Sequence, residues 1–146
     1  MNAQLKGLQE ALRALSRLDE AFAGKALETA ALSGILPIQN AAKQNAPYRT
    51  GTLRRSIHEE VMERGDRRVV VSTGTDVVYA PIHEFGGVIT PKTARALFFE
   101  IDGQFVMTQR VDMPARPYMR PAFDNKKGAA EREVGQSLLA LLKRAT

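Results

Sequence analysis

His83 and Glu84 are the side chains of this chain whose types, side by side, could move a proton or hold a metal. Their surroundings argue against both. His58 is the only other histidine and no H-E-x-x-H spacing exists, so the pair lacks the partners of a zinc site or an acid–base couple. Glu84 is expected instead to accept hydrogen bonds from backbone N–H groups or from an arginine such as Arg116 or Arg120, in the same subunit or an adjacent one. Gly86-Gly87 is no phosphate cradle, because no Gly-Lys-Ser/Thr follows it. Ser56 has no histidine in sequence context to serve as its base and is a poor nucleophile. Arg64-Gly65-Asp66 reads as a turn tripeptide with nothing adhesive about it. No cysteine is present, which excludes a disulfide framework and a thiolate metal site. With titratable clusters this sparse, neither catalysis nor a cofactor or metal is expected.

Three segments carry more information than these side chains. The first is Ala46-Pro-Tyr-Arg-Thr-Gly-Thr-Leu-Arg-Arg-Ser-Ile57, the second Tyr79-Ala-Pro-Ile-His-Glu-Phe-Gly-Gly87, the third Met113-Pro-Ala-Arg-Pro-Tyr-Met-Arg-Pro-Ala-Phe123. All three read as places where the backbone changes direction over a locked aromatic. In the first, Thr50 or Thr52 can cap a one-turn helix through Leu53-Arg54-Arg55, and Gly51 lets the chain reverse at low steric cost. Leu53 would pin that turn to the core while Arg54 and Arg55 face outward. In the second, Pro81 suits the start of a short helix and Gly86 suits the left-handed residue that ends it, with Tyr79 and Phe85 as packing anchors on either side. In the third, three prolines stiffen the approach to a C-terminal helix and lower the entropy of presenting it.

The elements around these segments follow from periodicity. Leu5, Leu8, Leu12, Leu15, Leu18 and Phe22 recur three and four apart, predicting a helix with Asn2 as its N-cap and a break or kink at Gly24. That stripe reads as core, with contact to a partner helix as the sharper option. A second, Ala-rich helix should run to about Asn45 on the stripe Leu27, Ala31, Ile35, Ile38 and Ala42. Pro37 should kink it or begin a new one, and Pro47 should stop it. From Ile57 the period falls to two, and strands are expected over 57–63 and 68–73 around the glycine-containing turn. A second hairpin pairs 96–101 with 104–111 across Asp102-Gly103, a dipeptide that tolerates positive φ. There Leu97, Phe99 and Ile101 share one face, with Phe98 on the other. Helical spacing returns through Met119, Phe123, Ala130, Val134, Leu138 and Leu142. The fold class is therefore α+β: N-terminal helices and a C-terminal helix packed on a small antiparallel sheet, with a protruding β-hairpin.

At 146 residues, 44% hydrophobic and 25% charged, the chain fits one soluble domain that buries roughly two thirds of its unfolded surface. Aromatics at 6% and the lack of Trp make the core aliphatic. The first residues have no apolar run of signal-peptide type, and no stretch approaches the roughly 18 apolar residues that span a bilayer. A cytoplasmic site of synthesis and no membrane partner are expected. The net charge of +5 invites a nucleic-acid reading. Residues 1–116 are nearly balanced, and only 117–146 are lopsided, with six basic against three acidic side chains. Interleaved signs of this kind usually mark a solvated helix face rather than a phosphate-binding stripe.

Taken in order, Thr50-Gly51-x-Leu53-Arg54-x-Ser56-Ile57, Tyr79-Ala80-x-x-His83-Glu84-Phe85-Gly86 and Pro114-Ala115-Arg116-Pro117-Tyr118-Met119-Arg120-Pro121-Ala122 resemble one family. It is the head–tail joining (neck, tail-completion) family of long-tailed bacteriophages, the gene-product-ten type of lambda-like siphophages, with related virion-morphogenesis proteins in Mu-like phages. The Asp102-Gly103 hairpin also resembles the family. The likeness covers roughly residues 37–124; the N-terminal helix and the tail after Lys126 carry little of it.

The resemblance implies a non-enzymatic structural subunit that forms a homo-oligomeric ring of six or twelve copies at the head–tail junction of the virion. Its partners would be adaptor or head-closure proteins and the tail terminator or tail tube, with DNA passing through the channel without specific binding. Neck protein and tail terminator both stay open. Residues 1–146 would form a single joining domain, with 88–112 as a hairpin arm. The motif positions expected to brace or make contacts are Thr50, Gly51, Leu53, Tyr79, Glu84, Phe85, Gly86, Arg116, Pro117, Arg120 and Pro121. Phe98 and Phe105 join them as outward aromatics on the hairpin. The alternative is a small basic nucleic-acid-binding protein that uses its C-terminal helix.

Overall fold

The structure, a computed structural model, describes residues 8–13, 20–65 and 67–145. A short helical segment, α1 (residues 8–13), precedes the long α2 (Glu20–Asn45) and the one-turn α3 (Thr52–Ser56). A hairpin follows, β1 (His58–Arg64) with β2 (Val69–Gly74), and then the short α4 (Ala80–Phe85). Next come β3 (Gly87–Ile89), β4 (Leu97–Ile101), β5 (Gln104–Thr108) and β6 (Val111–Met113). The long α5 (Met119–Ala145) closes the chain.

Helix α2 passes through both Gly24 and Pro37 without interruption, against the expected break at Gly24. A glycine costs about 1 kcal/mol in a helix interior and a proline about 3. The flanking alanines and the burial of one face against α5 and the β1–β2 hairpin outweigh both. The two long helices run antiparallel. Ala23, Ala26 and Ala30 pack with Leu138 and Leu142 at one end; at the other, the Asn45 side-chain amide donates to the Tyr118 carbonyl (3.5 Å).

Most of the expected stripes pack inward: Ile38, Ala42, Leu138 and Leu142 are buried, and Leu8, Leu27, Ile35, Met119, Ala130 and Val134 pack against the buried clusters. Leu12, Phe22 and Phe123 do not. Ala11 and Ala23 are buried, whereas the adjacent Leu12 and Phe22 are exposed. On α5, Ala122 is buried and Phe123 half-exposed. Small residues let the helix axes approach closely, so alanines occupy the seam and the larger neighbours flank it. Of the expected stripe, Asn2, Leu5, Leu15 and Leu18 lie outside the described residues, as does Asp66 of the first turn.

Among the described residues the strands form three separate two-stranded ladders rather than one sheet: β1–β2, β3–β6 and β4–β5, all antiparallel. Helix α2 covers β1–β2. Its Gln39 amide donates to the Ile57 carbonyl (3.4 Å) and to Glu59 Oε2 (2.6 Å). The β3–β6 ladder, with Gly87 opposite Met113 and Ile89 opposite Val111, closes the base of the excursion that β4–β5 extends. Three-residue strands are too short to show a period in the sequence.

Candidate functional site

The second motif becomes α4. Tyr79 stands at its N-cap and Pro81 in its first turn, where a missing N–H leaves no bond unmade. Gly86 ends it by donating its N–H to the Ile82 carbonyl (2.9 Å). Its φ of 68° is positive as expected, but ψ is −174°, outside the left-handed helical basin and in a region that essentially only glycine occupies. The reason lies next to it. A Cβ on Gly86 would stand 2.7 Å from the Ala115 nitrogen and 2.8 Å from the Met113 oxygen, both backbone atoms that cannot move aside. The chain leading into the third motif therefore runs directly over Gly86, and the Arg116 N–H donates to the His83 carbonyl (2.7 Å).

Glu84 fastens this crossing. Its Oε2 accepts the N–H groups of Tyr118 (2.8 Å) and Met119 (2.9 Å), and its Oε1 that of Arg120 (3.0 Å). These are the unpaired donors at the start of α5, and a carboxylate there also meets the positive end of the helix dipole. Burial pushes the Glu84 carboxyl up, but the three N–H donors outweigh it and hold the group below the usual carboxylate range. Of the two kinds of donor expected for Glu84, backbone supplies the bonds. The Arg120 side chain turns to Asp124 (3.1 Å) one helical turn on, and neither it nor Arg116 pairs with Glu84 through its guanidinium. Pro117 is exposed just ahead of the cap and Pro121 half-buried in the first turn of α5. Tyr118 is the aromatic locked beneath, 2% exposed. Burial, and then the nearby Glu84 charge, pushes its hydroxyl pKa up.

The first motif packs into the same core. Leu53 and Ile57 are buried together with Ala80, Tyr118 and Ala122. The cap of α3 is Gly51 itself, at φ 77°, with no side-chain cap bond. Thr50 Oγ1 lies 2.9 Å from Thr52 Oγ1 and accepts the Thr52 N–H (3.4 Å), so Thr50 meets the first N–H of the helix from one residue ahead of the cap position. Arg55 is exposed, but Arg54 is half-buried with its guanidinium 4.9 Å over the Tyr48 ring, which corrects the outward placement of that arginine.

Tyr79 and Phe85 are not packing anchors. Tyr79 is half-exposed with its ring edge-on to His83 (centroids 5.8 Å apart), and Phe85 is exposed at the end of α4. Phe85 borders an open apolar groove of about 680 Å³ between α2, β2, α4 and the start of α5.

Beyond the β3–β6 base, β4 and β5 meet across Asp102 (φ 50°) and Gly103 (φ 79°), with Ile101 opposite Gln104 and Phe98 opposite Met107. Positive φ at both turn residues is the signature of a type I′ turn, whose twist matches that of paired strands. Phe98, Phe105 and Met107 share a face with Glu100 and are 72%, 85% and 67% exposed. The hairpin's substantial packing within the chain is between its own two strands.

Nothing here assembles chemistry. Ser56 Oγ donates to the Leu53 carbonyl (2.7 Å), and His58 Nδ1 faces the Ser56 carbonyl (2.8 Å) rather than its hydroxyl. Among the described residues no group of three or more acidic or histidine side chains could hold a metal, and no helix is long and apolar enough to cross a membrane.

The described residues thus combine a braced turn with a projecting aromatic hairpin. The chain belongs to the HK97-gp10-like family: the family model described as "Bacteriophage HK97-gp10, putative tail-component" matches residues 6–86, more than half of the chain. That match includes the N-terminal helix, which the motif comparison left almost without signal, and ends at Gly86, ahead of the Asp102-Gly103 hairpin and the third motif. No curated protein and no solved structure matches the chain. Membership in a tail-component family supports a virion structural role and contacts with other phage structural proteins, and makes catalysis an unlikely function.

Proposed function

We propose that this protein is a ring-forming subunit of the phage head-to-tail interface, joining or completing the tail on the portal–adaptor complex. The observation that carries the reading is the hairpin between β3 and β6. One of its faces exposes two phenylalanines and a methionine to water, and aromatic anchors of that kind are characteristic of protein interfaces. Residues 1–146 act as one joining unit, with 88–112 as its arm, and six or twelve copies close around the channel. Cyclic closure requires each copy to present two different patches, head to tail. The braced turn supplies the rigidity this needs: Gly51, Leu53, Glu84, Gly86, Pro117 and Pro121 are internal supports, whereas Tyr79, Phe85, Phe98 and Phe105 are positioned to touch neighbours. Such a ring is made in the host cytoplasm and ends in the virion between head-closure and tail proteins, with DNA sliding through.

Deleting the gene and imaging the lysate tests this reading. Filled heads beside separate tails are expected; finished, infectious virions would remove the protein from the junction.

A further inference from the structure

The groove bordered by Phe85 and the arm that carries Phe98 are complementary halves of one contact. The groove's lining includes Val71, Ser72 and Thr73, three consecutive residues of β2. Because side chains alternate along a strand, three in a row line one groove only where the strand presents its edge. Among the described residues that edge is unpaired, since β2 joins a two-stranded ladder with β1 alone. At the rim, Val78 is 95% and Phe85 79% exposed. An unpaired strand edge flanked by apolar side chains is what an added strand recognises: main-chain bonds give affinity and alternate side chains fill the pockets. The arm offers such a strand, with its own outer edges unpaired and its aromatics on one face.

One charge pairing fits the same match. The arm's aromatic face carries one charge, Glu100. The groove's one lining cation is Arg120, whose exposed pairing with Asp124 is of the weak surface kind and can be exchanged. Of the two lining carboxylates, Glu84 is already satisfied by three N–H donors, and the exposed Asp76 lies 4.0 Å from His58 Nε2.

Area points to a second copy as the occupant. Two phenylalanines bury roughly 300–500 Å², about half of the roughly 800 Å² per partner of a standard stable interface. One arm in one groove is therefore a weak link. In a closed ring every copy both gives an arm and receives one, which brings each subunit to the standard size.

On the basis of the ring reading above, we infer that the arm of one copy adds to the outer edge of β2 in the next and seats Phe98 and Phe105 in the groove there. The absence of native cysteine makes the test direct. Full-length Phe105→Cys and Val78→Cys chains, mixed and oxidised, should give a covalent pair of copies that neither variant gives alone. Phe105→Asp should raise the concentration at which the chain self-associates at least tenfold by sedimentation. Glu100→Arg should do the same, and adding Arg120→Glu to it should restore association. Oligomers that form without the cross-link, or that ignore Phe105→Asp, overturn the docking and leave the ring standing. A cross-link formed only within single chains carrying both cysteines overturns it too, by closing the arm on its own groove. So does cross-linking of Val78→Cys in assembled particles to a different tail protein. A wild-type chain that stays monomeric at every concentration and gives no cross-link also overturns the docking, and the gene-deletion microscopy then decides the ring separately.

Discussion

The two longer hairpins have nearly the same local design and opposite settings. Both β1–β2 and β4–β5 are two-stranded and antiparallel. The first lies under α2, tied to it by Gln39 through Glu59 (2.6 Å) and by a two-point Arg64–Glu28 pair at 3.2 Å. The Glu59 carboxyl is held below its ordinary range by its backbone hydrogen bond and then by Gln39. Among the described residues no helix covers the second, and its outward face is aromatic.

An isolated two-stranded hairpin is marginal in water, so β4–β5 must draw its order from local devices. The type I′ turn sets its register. At its root the β3–β6 ladder closes, and Arg110 grips Asp112 with two nitrogens (2.8 and 3.1 Å). Hydrogen bonding to Arg110 draws the Asp112 carboxyl pKa down. The covered hairpin is part of what holds the fold together, while the uncovered one is held by the fold and pointed away from it. The same secondary structure therefore contributes to stability in one place and to contact in the other.

Breaking the body should do the most damage. Tyr118→Ala empties the largest buried side chain and should cost about 3–5 kcal/mol, lowering the melting temperature by on the order of 10 °C in calorimetry. Gly86→Val should cost about 2–4 kcal/mol, since both the positive φ and the backbone overlap at Ala115 oppose any side chain. Gly86→Ala should already show most of that loss, because the first carbon causes the collision.

Glu84→Ala should cost about 2 kcal/mol by uncovering the α5 cap. Its sign with pH follows from the lowered carboxyl pKa. The stabilisation is complete above the unfolded value of about 4.3 and is lost as pH falls through the folded value. Wild-type stability should thus drop in that acid range by more than the stability of Glu84→Gln, measured by denaturant titration at pH 3 and pH 7. A smaller effect is expected from His83→Ala, about 0.5–1 kcal/mol, since its side chain makes one edge contact with a half-exposed Tyr79. Loss of assembly in that variant with its fold intact would give the histidine a role beyond packing.

Periodicity made the helices, the β1–β2 hairpin and the Asp102-Gly103 turn legible, because each repeats a pattern over enough residues to stand out. The seam between α2 and α5 was legible in Ile38, Ala42, Leu138 and Leu142 but not in its other alanines, since a helix face that needs close approach can bury alanine beside an exposed phenylalanine. Ala23 beside Phe22 and Ala122 beside Phe123 show that hydrophobicity ranking alone can select the wrong neighbour. At the site, the glycine that ends α4 and the backbone bonding of Glu84 were both within reach of the motif. Which backbone Glu84 would find was not, because its partners lie 34–36 residues away. Tyr79 and Phe85 were misplaced for a related reason: an aromatic beside a turn packs inward or waits for a partner, and local sequence does not distinguish the two.

The smallest effect on stability should come from the largest change. Replacing residues 96–109 with a short Gly-Ser turn removes β4, β5 and the aromatic face but leaves the β3–β6 ladder to close the base. The two buried clusters contain no residue of the deleted segment, so no cavity forms and no buried donor loses its acceptor. Global stability should then stay within about 0.5 kcal/mol of wild type, as for surface changes away from such features, while head–tail joining is lost in complementation of the deleted gene. The equivalent replacement of β1–β2 should instead unfold the chain, because it strips the cover from α2 and the partner from Gln39. If the arm-less protein melts well below wild type, the arm is part of the core, and the division between a hairpin that stabilises and a hairpin that reaches fails.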